Sequence, residues 1–214
     1  MKSRFGVVRF GGITLILSGI LFFVVYLLVL PLPDPPLPDA DLLAWLKEWK
    51  FNLSMADEVL LFAALALLPS TVALHRVLVK TDPIKTWLGC SVMAVAVPVY
   101  IVLDIVLGRL VYPVYHLELS PDIYRLVLSL YYGGMHMIAI LMCIATIVLS
   151  LAIRRSRMGE WLVYLGFAAG MADVLGAFPW LTGTAVELVH QILFAAWFIA
   201  VGLKLWGLKN EARA

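Results

Sequence analysis

Five ionisable side chains sit inside otherwise apolar segments: Asp104, His136, Asp173, Glu187 and His190. Titratable groups at membrane depth are costly, so by default they face a bundle interior or a wet cavity. Counting about 1.5 Å of rise per residue from the nearest cytoplasmic cation, these five and the Asp57–Glu58 pair fall at roughly 21–28 Å. That is the outer third of a hydrocarbon core about 30 Å thick. The inner half of the same segments is nearly bare of ionisable groups. As a pocket open to the outside, such a layer would bind or transport a small solute or cation. With His136, His190 and Asp173 or Glu187 as ligands, it would suit a divalent metal such as zinc with an open water position, and hence a hydrolase-like intramembrane enzyme. With His136 and His190 as axial ligands, and Gly133-Gly134 making room for a porphyrin, it would suit a b-haem electron carrier. In a fourth reading the buried charges only fix helix packing in an accessory subunit of a membrane complex.

Each residue also has an explanation that needs no chemistry. Ser54 with Asp57, and Thr184 with Glu187, have capping-box spacing. Asp104 has Arg109 and Arg125 within reach as ion-pair partners. His136 and His190 would serve equally as buried imidazoles bonded to a neighbouring helix. His75 falls at a helix C-terminus, where it complements the dipole, and His116 in a solvated aromatic loop. Asp173 resists this treatment, because no cap places a carboxylate in mid-span. It shares a stripe with Gly166, Gly170 and Ala177, a small-residue packing face. Glu187, His190, Gln191 and Phe194 share another stripe, and Gly133, His136 and Ile140 a third.

The elements that must carry these residues follow from composition. The chain has 214 residues, 63% hydrophobic and 14% charged, with a mean hydropathy of +0.99. A soluble domain this apolar would expose too much greasy surface to stay monomeric, so lipid is the solvent. Long apolar runs indicate helices and not a barrel. A net charge of +2 with dispersed cations gives no nucleic-acid signal. Cys90 and Cys143 lie at different depths and predict no disulfide.

Hydropathy and cap signals predict six spans at about 10–30, 57–79, 84–108, 121–153, 160–180 and 184–206. The first reads as an uncleaved helix, since no small-x-small cleavage site follows it. The strongest start signals are Asp82-Pro83 and Ser120-Pro121-Asp122. Residues 31–38 form a stiff proline-rich spacer. After it, Leu42, Trp45, Leu46 and Trp49 make the apolar face of a short outer interfacial helix. Twelve of the sixteen lysines and arginines fall on the side of the termini, against Lys47, Lys50, Arg109 and Arg125 on the other. That bias predicts a multi-pass plasma-membrane protein with cytoplasmic termini.

The expected architecture is therefore an all-α, single-domain six-helix bundle. Its partners would be the bilayer, a small solute or ion, and further membrane subunits or copies of itself. The Gly-Gly pairs in RFGGITLILSG and YYGGMHMIAIL hint at an inverted repeat. The closing segment HQILFAAWFIAVGLKLW, through Trp197 and Gly202, resembles a broad group of uncharacterised six-helix prokaryotic membrane proteins. Small six-span substrate-capturing subunits of vitamin importers are similar in size and topology. Both resemblances imply a fold and carry no activity.

Overall fold

Lipid demands that each backbone satisfy its own polar groups, and all regular structure in the described residues is helical. A computed structural model describes residues 6–115, 117 and 119–208, with backbone alone at 179 and 180. His116 and the cations Lys2, Arg4, Lys209 and Arg213 lie outside the described residues. The elements are α1 (Val7–Val29), α2 (Asp39–Glu48), α3 (Lys50–Leu78), α4 (Pro83–Val111), α5 (Pro121–Ile153), α6 (Trp161–Gly176), α7 (Pro179–Thr182) and α8 (Thr184–Gly207). Helices α1, α3, α4, α5 and α8 are long and apolar enough to cross a bilayer, with mean hydropathies from 1.7 to 2.6. Their outward residues, among them Phe62, Val72, Val102 and Ile105, are exposed and apolar.

Two boundaries differ from expectation. The second span begins at Lys50 and not near Asp57, because α3 follows α2 across Trp49 alone. Ser54 is thus inside a helix, and its hydroxyl donates back to the Lys50 carbonyl at 2.7 Å instead of capping. The span expected over 160–180 is divided. Helix α6 has 16 residues, about 24 Å of rise, and ends before Pro179, whose missing N–H cannot continue the ladder. A single turn, α7, then leads through Gly183 (φ 74°) into α8.

Six helices close into a ring in chain order: α1 packs on α3, α3 on α4, α4 on α5, α5 on α6, α6 on α8, and α8 back on α1. Glycines in α1 allow the closure. A Cβ on Gly11 would lie 2.6 Å from the Pro69 carbonyl oxygen, one on Gly12 2.7 Å from that of Gly202, and one on Gly19 2.8 Å from Phe198 Cβ. Close approach lets polar side chains tie helices together: Ser18 Oγ donates to Ala63 O, and Thr14 Oγ1 meets Ser70 Oγ, each at 2.8 Å. In the second Gly-Gly pair a Cβ on Gly133 would meet nothing within 4 Å, whereas one on Gly134 would run into the Leu103 side chain of α4 at 2.1 Å. Cys90 and Cys143 are buried free thiols.

Asp82 caps α4 as its sequence context predicts, accepting from Lys85 N at 3.3 Å. Its carboxylate also pairs with Lys85 Nζ and, across to the next loop on this side of the ring, with Arg155 Nη1 at 3.4 Å. These partners, the Lys85 side-chain hydrogen bond foremost, hold the Asp82 carboxyl below the usual carboxylate range. A lowered folded-state pKa contributes stability above the unfolded-state value of about 3.9 and loses it as pH falls through the folded value. Asp82→Asn should therefore lower Tm at pH 7. The deficit against wild type should close as pH falls below about 4. A deficit that does not change with pH would mean that Asp82 acts through its cap alone.

Candidate functional site

The small-residue face of α6 determines where Asp173 goes. Gly166 lies against Ser150 and Trp197, and Gly170 against Ile147, so α6 sinks between α5 and α8 and carries Asp173 to full burial. There His190 Nε2 donates to Asp173 Oδ1 at 2.8 Å. Asp173 Oδ2 is buried with no hydrogen-bond partner among the described residues. One turn on, Gly176 provides the space for the imidazole: a Cβ there would stand 2.2 Å from His190 Nδ1. Gly176 is a site residue that sequence reasoning missed, because its role depends on a ring from another helix.

His136, on α5, donates from Nδ1 to the Ala177 carbonyl at 2.6 Å and packs edge-on to Phe178, with ring centroids 4.9 Å apart. It thereby satisfies one of the open carbonyls at the end of α6. Glu187 lies in the first turn of α8, where the N-cap is Gly183 and not Thr184, and no side-chain cap bond forms. The second capping box is thus also absent.

Asp173, His136, His190 and Glu187 all line one central cavity of about 1020 Å³. Every helix of the ring contributes the half remote from residues 7 and 207. In the opposite half α1 and α8 meet backbone to backbone at Gly12 and Gly202. Residues 32–35 and 181–184 form the rim. The proline-rich strand is held there by Trp45 Nε1, which donates to Pro33 O at 3.1 Å, and by Arg125, which binds Leu37 O and Asp39 and pairs with Asp122 at 3.0 Å. Leu42, Trp45 and Leu46 of α2 are buried beside it.

Asp104 is not part of this cavity. It lies on the α3–α4 side near Asp57 and Glu58, where Tyr112 Oη donates to Glu58 Oε1 at 2.9 Å. Among the described residues it forms no ion pair with Arg109 or Arg125, the latter being engaged at the rim. Asp57 is buried against the Gly108 backbone, and its Oδ1 has no hydrogen-bond partner among the described residues.

The expected metal set does not assemble in this arrangement. His136 Nδ1 is turned to a carbonyl, while His190 holds Asp173 with Nε2 and packs Nδ1 against Gly176. Among the described residues no three His, Cys, Asp or Glu side chains are placed to hold a metal.

Fold and cavity define the class: an all-helical, multi-pass membrane bundle with a polar-floored central cavity. No family model matches the chain, and neither a curated protein nor a solved structure does.

Proposed function

We propose that the protein is a six-span plasma-membrane bundle with cytoplasmic termini that takes a small solute or cation into its cavity from the outer face. In this reading α6, extended by α7, is the sixth crossing, and α2 lies in the outer interface. The bias of twelve cations against four supports the orientation. The observation that carries the binding role is the cavity itself. At about 1020 Å³ it has the size of a small-molecule site, mostly apolar with a few convergent polar groups. A bundle needing only to pack would gain by filling that space, since cavities cost stability in proportion to volume.

Ala139 lines the cavity and is half-buried. In a Cys90→Ala/Cys143→Ala background, Ala139→Cys should react with a charged, membrane-impermeant methanethiosulfonate added outside intact cells. Ala145→Cys, fully buried on the same helix, should not react. Labelling of Ala139→Cys from the cytoplasmic side alone, or from neither side, would overturn the proposal.

A further inference from the structure

The cavity is chemically one-sided. Its lining includes three carboxyl groups, Asp34 at the rim, Glu187 on the wall and Asp173 on the floor, with two histidines, His136 and His190, and neither lysine nor arginine. Six aromatic rings face them: Phe22, Tyr26, Tyr100, Tyr131, Tyr132 and Phe194. Three of these form an aromatic cluster across α1, α4 and α8, the platform of the site, with Phe22 tilted 4.8 Å from Tyr100 and edge-on 5.7 Å from Phe194 between ring centroids. Aromatic faces attract cations, most strongly where water is excluded. At the floor, His190 takes one oxygen of Asp173 and leaves Oδ2 buried and unpartnered among the described residues. Buried polar atoms in native proteins normally have partners, and an open acceptor in a cavity is a place for a ligand's donor. The Tyr26 hydroxyl, on a residue of the same lining, is likewise buried and unpartnered among the described residues.

Resting on the cavity as a solute site, we propose that its ligand class is an organic cation: a protonated amine whose N–H donates to Asp173 Oδ2 and whose apolar body lies on the Phe22–Tyr100–Phe194 platform. An anion of the same shape would meet three carboxyl groups and neither lysine nor arginine. A neutral solute would bring no charge to this lining. Charge, more than shape, therefore sets the selectivity of so large a space.

The test uses three solutes with one body and three charges: 2-phenylethylammonium, 2-phenylethanol and phenylacetate. Binding to the full chain in detergent is followed at pH 7 by calorimetry and by the rise in Tm. The ammonium should bind about tenfold or more tightly than the alcohol, roughly 1.4 kcal/mol, and phenylacetate least. Asp173→Asn should bring the ammonium down to the alcohol's affinity, whereas Glu58→Gln, on an exposed residue outside the cavity, should leave the preference intact. The comparison on wild-type protein does not depend on any variant folding. Equal affinity for ammonium and alcohol would overturn the cation inference while leaving the cavity as a solute site. Tighter binding of phenylacetate, or no binding of the ammonium, would overturn it too. In either case the accessibility of Ala139→Cys separately decides whether the site is open.

Discussion

Asp173→Leu should destabilise the bundle by about 3–5 kcal/mol, and Asp173→Leu/His190→Leu by much less. The reason is the asymmetry of buried pairs. Asp173 is fully buried and His190 nearly so, and among the described residues their one hydrogen bond is the only side-chain hydrogen bond of Asp173. Deleting the carboxylate leaves the imidazole Nε2–H in an apolar site beside Gly176. Deleting the imidazole leaves both carboxylate oxygens without a partner. A single loss therefore carries the full desolvation penalty of the survivor, whereas joint replacement by apolar groups is often neutral or stabilising. Denaturant titration in detergent, run as a double-mutant cycle, measures the coupling. Additive losses would mean that the 2.8 Å contact contributes nothing to folding. The cycle also separates stability from function. The double variant should fold and yet lose the preference for the ammonium solute, because the acceptor is gone.

The second large effect is at the closure of the ring. A Cβ on Gly202 would stand 2.7 Å from the Gly12 carbonyl oxygen, and one on Gly12 equally close to the Gly202 oxygen and to Trp206 N. These are backbone atoms, which cannot swing aside as a side chain would. Overpacking a close contact typically costs about 1–3 kcal/mol and occasionally more. Gly202→Leu should lie at or beyond the top of that range, since α1 must leave α8 and open the ring. Gly133→Leu, in the other Gly-Gly pair, should change Tm little, because nothing lies within 4 Å of the new Cβ. Thermal unfolding of the two variants in the same detergent is the measurement. Equal Tm values would mean that α1 and α8 are not held backbone to backbone.

Several features were legible in the residues before any coordinates. Asp82-Pro83 and Ser120-Pro121 do begin helices at those points, although only Asp82 makes a side-chain cap bond. Of the stripe Leu42, Trp45, Leu46 and Trp49, the first three are buried in the protein and Trp49 is half-buried. Both capping boxes failed for a common reason: the spacing of two residues says nothing about whether the chain before them is already helical. Trp49 passes one helix directly to the next, so Ser54 never reaches a terminus. At the other site Gly183, with its positive φ, takes the cap position ahead of Thr184.

Asp173, His136, His190 and Glu187, placed at similar heights by counting residues, do line one cavity. Asp104, placed in the same outer layer, faces another side. What the sequence determined alone was the solvent, the helical elements and their order, and which ends carry the cations. All of these are properties of a segment by itself. Tertiary structure decided which face of each helix turns inward, that α8 returns to α1, and that Gly176 admits His190 to Asp173. Those depend on rotation about helix axes, and only the neighbouring helix sets that rotation.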